Sequence, residues 1–141
     1  MNERRHTVQL INYWKNLKID SPLPVIESMD SHLLSNYWFN SMVLFSNKDF
    51  PNNNFHIEYI GKEITSLIKN NIIGKNESNF EPINKIKNNF NHIVQKASII
   101  VDQGEFIDSD FNTHKYRSCL LPFGQSKNNI THFVMYLSYL H

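Results

Sequence analysis

The chain has 141 residues, of which 40% are hydrophobic and 19% are charged, and its formal net charge is +1. These values are typical of one soluble globular domain. Because positive and negative charges nearly balance and no basic block occurs, the sequence argues against nucleic-acid binding. No apolar run approaches the roughly 18–20 residues that span a bilayer. We therefore expect no membrane association and a cytoplasmic location.

The first predicted element is an amphipathic helix over 6–18. Its apolar stripe at i, i+3, i+4 and i+7 consists of Leu10, Tyr13, Trp14 and Leu17. The helix ends before Ser21-Pro22-Leu23-Pro24, since proline disfavours helix in the residue before it. A helical turn at 31–36 follows. Two strands, at 37–46 and 55–60, are predicted to form a hairpin with Phe55, Ile57 and Tyr59 on one face.

A second helical region precedes three more strands. Helices are predicted at 62–70 and, as one long helix, at 80–97, where the apolar residues repeat at helical spacing. Strands are predicted at about 97–106, 113–122 and 130–140. The last is apolar on both faces, which favours a central, covered position in a sheet. The pattern predicts an α+β fold, a five-stranded antiparallel sheet with helices mainly on one face. We expect one domain, which consists of a helical extension over residues 1–36 and a core over residues 37–141.

Several short motifs occur along this chain in a recognisable order. They are Tyr13-Trp14, Leu23-Pro24, Met29-Asp30, the aromatic-rich strand Phe55 to Gly61, Ile73-Gly74-Lys75, and Cys119-Leu120-Leu121-Pro122-Phe123. In these motifs and in its element order the sequence resembles a small, single-domain bacterial PAS family. The sequence departs from the family pattern at Ser31, where the family has proline, and at Glu58, where it has arginine.

The resemblance implies a sensing or signalling domain, often dimeric, with a cavity between the sheet and the middle helices. The residues that we expect to line this cavity are Val43, Phe45, Ile57, Tyr59, Leu67, Ile86, Phe90, Ile93, Tyr116, Leu120, His132 and Val134. Each is also an ordinary core residue. Only Tyr59, Tyr116 and His132 offer polar anchors in an otherwise apolar pocket.

The sequence contains no catalytic or metal-binding constellation. Cys119, the single cysteine, lies in an apolar strand, which favours a buried thiol over a nucleophile paired with His114 or His132. The seven histidines are scattered, and none forms a His-x-x-x-His pair. His92 borders the expected cavity, and we interpret it as a structural histidine rather than a haem ligand. The Asn-Cys-Arg-Phe motif of flavin photosensors is absent. We predict no metal and no enzyme activity, and the sequence identifies no cofactor.

Two functions remain open. In the first, the chain is a stand-alone signalling module that contacts a histidine kinase or another regulator. In the second, it senses or carries a small apolar ligand in the cavity. A filled core would favour the first function, and a cavity with converging polar groups would favour the second. The first helix either folds back over its own sheet or pairs with the same helix of a second subunit, and we expect a homodimer.

Overall fold

A five-stranded antiparallel sheet forms the centre of the structure, a computed structural model that describes residues 2–18, 21–29, 35–46, 55–71, 80–107 and 110–140. The helices are α1 (Asn2–Leu17), α2 (Ser35–Trp38), α3 (Lys62–Asn71), α4 (Glu81–Asn88) and α5 (Phe90–Lys96), with a short 3-10 turn at Ile26–Ser28. The strands are β1 (Ser41–Ser46), β2 (Phe55–Ile60), β3 (Ile100–Ile107), β4 (Thr113–Ser126) and β5 (Asn129–Leu140). In the part of the chain described, no helix is long and apolar enough to cross a membrane.

The strands lie in the order β2-β1-β5-β4-β3, so the last strand is central, as predicted. It pairs with β1 on one side and with β4 on the other, antiparallel in both cases. The hairpin of β1 and β2 is also antiparallel. These pairings confirm the predicted α+β architecture.

Alternation along β5 divides its side chains between two covered faces. Phe133 packs against Phe90 of α5, with ring centroids 5.8 Å apart, so its face is the α4/α5 face of the sheet. Tyr136 points the other way, and its hydroxyl lies 3.2 Å from Nδ1 of His6 in α1. That side is the α1 face. Apolar side chains on both faces of one strand require such double cover, because either face left in water would expose apolar area.

Helix α1 folds back over its own sheet. Leu10 and Trp14 of the predicted stripe are 3% and 4% exposed, and Tyr13 and Leu17 are partly buried against the same core. The indole Nε1 of Trp14 donates a 2.8 Å hydrogen bond to the carbonyl oxygen of Pro122 in β4. The two most buried residues of the stripe are therefore covered by the sheet of their own chain.

Two predicted elements have different bounds in the structure. Tyr37 and Trp38 belong to the short helix α2, and β1 begins only at Ser41. Gly61 explains the tight approach of these segments, since a Cβ there would collide with the carbonyl oxygens of Trp38 and Phe39. The predicted long helix is two helices, α4 and α5, separated at Asn89, whose side chain donates to the carbonyl of Lys85. Such local bonds let asparagine compete with helical geometry.

A bulge in β2 changes the predicted pattern of its faces. Val43 pairs with Tyr59, but Leu44 pairs with Ile57, so Glu58 is the extra residue. One extra residue reverses the alternation beyond it. Ile57 therefore shares a face with Leu44, whereas Tyr59 lies on the opposite face with Val43 and is 39% exposed.

Some predicted features lie outside the described residues. They are the Asp30-Ser31 step, the hairpin turn at 47–54, the Ile73-Gly74-Lys75 motif and the Asp108-Ser109 turn.

The docking of α1 can be tested at its buried indole. We expect Trp14→Phe to lower the free energy of unfolding by about 1–3 kcal/mol, since the Pro122 carbonyl loses a buried donor. Urea unfolding followed by circular dichroism measures this loss, which should not depend on protein concentration. Val8→Ala, on an exposed position of the same helix, should change stability by less than about 0.5 kcal/mol. Equal effects of the two substitutions would contradict this packing.

Candidate functional site

A cavity of about 190 Å³ lies between the helices α4 and α5 and the sheet. We call it the interlayer cavity. Its helical side is formed by Pro82, Lys85, Ile86, Asn89, His92, Ile93 and Lys96. Its sheet side is formed by Ile100, Asp102, Tyr116, Ser118, Leu120 and Met135. The volume is below the roughly 300–1,000 Å³ of sites that enclose a drug-sized ligand, so the space suits a smaller molecule.

The apolar part of the cavity follows directly from local periodicity. Ile86 of α4 and Ile93 of α5 both line the helical side of the cavity. Leu120 and Met135 are cross-strand partners in β4 and β5 and point to the same face. All four side chains are at most 6% exposed. Together they form the apolar part of the cavity on its helical and sheet sides.

Lys85 joins the helical layer to the edge strand β3 at the rim of the cavity. Its Nζ donates to Oδ2 of Asp102 and to the carbonyl oxygen of Gln103, both at 3.1 Å. Partial burial is the largest single effect and lowers the pKa of Lys85, but the interactions with Asp102 and Tyr116 together outweigh it, so the pKa is raised. Both groups are exposed enough to be screened by water, so this ion pair adds little to stability. Its structural effect is to hold α4 against β3.

Tyr116 places a hydroxyl group in the same region. The residue is 3% exposed, and its ring lies 5.6 Å from Nζ of Lys85. Gly104 in β3 makes room for both groups, because a Cβ there would lie 2.8 Å from the Tyr116 Oη and 3.0 Å from Nζ of Lys85. Among the described residues, the Tyr116 Oη has no partner in full hydrogen-bond geometry, but the Lys85 ammonium lies beside it and lowers the pKa of the phenol by hydrogen bonding. Burial, and then the negative charge of Glu81, raise the pKa of Tyr116, so its hydroxyl stays protonated.

Glu81, at the start of α4, also has a buried polar atom. Its Oε2 atom is buried and, in the described part of the chain, has no hydrogen-bond partner either. Glu81 precedes Lys85 by one helical turn and lies close enough to Tyr116 to affect its ionisation. Glu81 is not among the residues that line the interlayer cavity.

The structure brings together four of the residues that the sequence analysis expected to line a cavity. Ile86, Ile93, Tyr116 and Leu120 surround the interlayer cavity. Phe90 is buried beside it, between Phe55 and Phe133. Leu67 is buried in α3, and Ile57 lies on the bulged strand β2, but neither reaches this space.

Five of the expected lining residues lie on the α1 face and not on the cavity side. They are Val43, Phe45, Tyr59, His132 and Val134. The physical reason is the register of β1 with β5, which pairs Val43 with Val134 and Phe45 with His132. Because Leu44 and Phe133 form the intervening pair on the α4/α5 face, these residues must point away from it. His132 instead lies 3.6 Å from the carboxylate of Glu58.

Sequence reasoning missed most of the polar rim. Lys85 and Asn89 lie one turn apart on the helix face that carries Ile86, and His92 and Lys96 continue that face in α5. The spacing of four residues from Glu81 to Lys85 to Asn89 was a usable signal. Asp102 and Gly104 gave no signal of their own, because only the register of β3 brings them to Tyr116.

A second hollow, of about 440 Å³, lies on the other side of β3 and β4. It is lined by Gln103, Gly104, Glu105, Lys115, Tyr116, Arg117 and Ser138. Three of the seven, Gln103, Glu105 and Lys115, are exposed, and the two spaces are about equally open to solvent. Although the second hollow is larger, its lining consists mainly of polar and charged side chains. The interlayer cavity has the apolar walls and few polar groups typical of ligand sites.

Cys119 does not face the interlayer cavity. Ser118 and Leu120 line the cavity, so Cys119 between them points to the α1 face, where it pairs with Tyr136. A flavin held through a cysteine adduct does not fit this arrangement, and the cavity volume is too small for a drug-sized cofactor. Among the described residues no group of three His, Cys, Asp or Glu side chains is placed to hold a metal ion.

Two solved structures illustrate what the chain is similar to. One is the light-state structure of the blue-light photoreceptor Aureochrome1 LOV, 17% identical, with a TM-score of 0.46 over 80% of this chain and 89% of that one. The other is an RNA-binding Light-Oxygen-Voltage receptor, 10% identical, with a TM-score of 0.48 over 86% of this chain and 37% of that one. No protein-family model and no curated protein matches the chain.

The reactivity of Cys119 tests its placement. Burial raises the pKa of its thiol to about 12, so at pH 8 the reactive thiolate should be about 1,000-fold rarer than in an exposed cysteine. We expect alkylation by iodoacetamide to be slower by at least that factor in the native protein and to become fast in urea. A control protein with Cys119→Ala and Lys127→Cys, in the exposed β4–β5 turn, should react quickly in both states. Rapid native labelling of Cys119 would contradict the assignment.

Proposed function

We propose that this chain is a sensory domain that binds a small ligand in the interlayer cavity. The chain has the PAS fold, with two strands, a helical middle and three strands arranged in the sheet order β2-β1-β5-β4-β3. The helical middle supplies α4 and α5, which form one wall of the cavity. A ligand there contacts both the helical layer and the sheet.

The observation that carries the proposal is the polar group buried at the edge of an apolar cavity. The hydroxyl of Tyr116 is almost fully buried, and its polar neighbour is the Lys85 ammonium. An ammonium can only donate hydrogen bonds, so Lys85 leaves the phenol proton without an acceptor among the described residues. Buried polar groups are nearly always hydrogen-bonded, and exceptions need an explanation. A ligand that supplies the missing acceptor is such an explanation.

Binding in this place has a direct route to the rest of the molecule. Lys85 connects α4 to β3 through Asp102 and Gln103, and its ammonium lies over the ring of Tyr116. A ligand that orders Tyr116 therefore also affects the contact between α4 and the edge strand. A ligand shifts the populations of two arrangements of α4 against β3 only if it binds the two arrangements with different affinity.

Contact with another protein is the second candidate function, and it also supplies an output for a sensor. Three exposed apolar side chains favour it, Val101 and Ile107 of β3 and Phe111 in the following loop, which are 51%, 52% and 80% exposed. Such residues are candidates for contact with a second copy of the chain or with a regulator such as a histidine kinase. Sedimentation of the wild type and of Phe111→Ser should show whether a homodimer forms through this region.

The sensor function can be tested with native mass spectrometry of protein purified from its host. We expect non-covalent extra mass under native conditions that disappears on denaturation. Leu120→Phe, which fills the cavity floor, should remove this mass at a cost of about 1–3 kcal/mol in stability. Val101→Phe introduces the same side chain at an exposed position on the opposite face of the sheet, and this variant should retain the extra mass.

Two outcomes would refute the cavity as the binding site. Wild-type protein at the bare sequence mass would support a contact-only module, and extra mass retained by Leu120→Phe would place the ligand elsewhere. Ile93→Phe, which fills the cavity from the opposite wall, is a second variant for the same test in case Leu120→Phe does not fold. Circular dichroism before and after heating establishes that each variant is folded.

A further inference from the structure

The edge of the sheet at β3 can pair with another extended chain. The strand order places β4 on one side of β3 and no described strand on the other. All residues of β3 pair with β4 without a bulge. A regular edge strand of this kind presents a row of backbone N–H and C=O groups. The residues that form this row follow from the hydrogen bonds of the neighbouring strands.

The alternation of hydrogen bonds across the sheet identifies the outward row. The backbone N–H of Leu137 in β5 donates to the carbonyl oxygen of Asn40, next to β1. Ser138 then directs its backbone groups to the other side, where it pairs with Arg117 of β4. Because Arg117 bonds to β5, its partner in β3, Gln103, directs its own N–H and C=O away from the sheet. The outward-facing backbone groups of β3 are therefore those of Val101, Gln103, Glu105 and Ile107.

The contact made by Lys85 agrees with this direction. Its Nζ donates to the carbonyl oxygen of Gln103 at 3.1 Å. In the part of the chain that the structure describes, no other group bonds to the outward row. A carbonyl oxygen has two lone pairs, so Gln103 can accept a bond from a second strand while it keeps Lys85.

The side chains of the same four residues lie on the face of β3 that points away from the cavity, and all four are exposed. Val101 and Ile107, near the two ends of the strand, are 51% and 52% exposed. A second copy of β3 that runs antiparallel, with the two-fold axis at Gly104, places Val101 opposite Ile107 twice. It also places Gln103 opposite Glu105 twice, so that the amide can donate to the carboxylate. The strand is therefore complementary to itself.

The charges of β3 disfavour the neighbouring registers. Because the outward groups alternate along the strand, the two-fold axis can move only in steps of one residue that shift the pairing by two. An axis at Glu105 or at Asp102 brings two carboxylates directly opposite each other, which is destabilising. An axis at Gln103 places Val101 opposite Glu105. The axis at Gly104 alone pairs the apolar side chains with each other.

The surroundings of Gly104 suit a close approach at the axis. A Cβ at this position would lie 3.0 Å from Nζ of Lys85, so the space above Gly104 is occupied by that ammonium. The Lys85 side chains of two copies would lie near each other there. Each is bound by the Asp102 carboxylate of its own chain at 3.1 Å, so together these groups add no net charge at the axis.

We propose that two copies of this chain pair edge to edge through β3, antiparallel and centred on Gly104, to form a dimer with one continuous sheet. The pairing forms about eight backbone hydrogen bonds, which is within the range of a specific interface. The outer edges of the continuous sheet are then the two β2 strands, whose bulge at Glu58 opposes further pairing. This dimer needs no ligand, so the inference goes beyond the sensor function and assigns a geometry to the contact through Val101 and Ile107.

An exchange of side chains across the axis tests the register. Gln103→Glu places two carboxylates opposite each other twice and should raise the dissociation constant of the dimer about tenfold. Glu105→Gln leaves two amides opposite each other and should change the constant by less than about threefold. The double variant with Gln103→Glu and Glu105→Gln restores an amide opposite each carboxylate and should dimerise like the wild type. Sedimentation velocity over a range of protein concentrations measures these constants.

Cysteine crosslinking measures the same register directly. Opposite residues that share backbone hydrogen bonds have Cα atoms about 5.5 Å apart, which a disulfide can bridge. A mixture of Val101→Cys and Ile107→Cys proteins should therefore form disulfide-linked heterodimers faster than either protein forms homodimers. The native Cys119 can remain, since it is buried. Val8→Cys, at an equally exposed position on α1, is the matched control and should crosslink with neither protein.

Three results would overturn the proposal. They are a wild-type chain that stays monomeric at its highest soluble concentration, a dimer that Gln103→Glu does not weaken or the double variant does not restore, and cysteine mixtures that form no excess of heterodimer. The sensor function is judged separately, because Gln103 does not line the interlayer cavity. Gln103→Glu should keep any co-purified mass, so loss of the dimer and loss of the ligand can be told apart.

Discussion

Cover on both faces of the central strand β5 is the constraint on which the rest of this structure depends. β5 carries Phe133 and Met135 on one face and Val134 and Tyr136 on the other, all at most 5% exposed. A sheet of this kind cannot leave either face in water. Helix α1 must therefore lie on one side, and α4 and α5 on the other. The interlayer cavity lies between α4, α5 and the sheet, on the side opposite α1.

Most of the architecture could be predicted from the sequence, because element type depends on local periodicity. The face assignments could not. His132 and Val134 were expected on the cavity side, but in a strand that is apolar on both faces a shift of one residue fits the pattern equally well. The bulge at Glu58 likewise reversed Tyr59 without a sequence signal. Choosing between the faces requires the register between strands, which depends on contacts distant in sequence.

The residues of the site divide in the same way, into those that a local sequence pattern identifies and those that only contacts distant in sequence bring together. Ile86 and Ile93 were recognised because a helical stripe marks them as buried. Lys85 and Asp102 were not, since isolated charged residues are ordinarily solvated. They form a site only after β3 pairs with β4 and α4 crosses the edge strand. The polar residues at the rim of the cavity are thus the least predictable ones, because their contacts form only where separate elements meet.

The two edges of the sheet bear on how the molecule avoids open-ended self-association. An exposed edge strand offers unpaired N–H and C=O groups to any other extended chain, and bulges and charges are the usual protection. β2 carries its bulge at Glu58. β3 runs in unbroken register with β4 and has no such irregularity, but it bears the exposed charges Asp102 and Glu105. Asp102 therefore acts in two ways. Its carboxylate binds Lys85 at the rim of the cavity. Its charge on the edge strand also disfavours the intermolecular strand pairing that leads to aggregation.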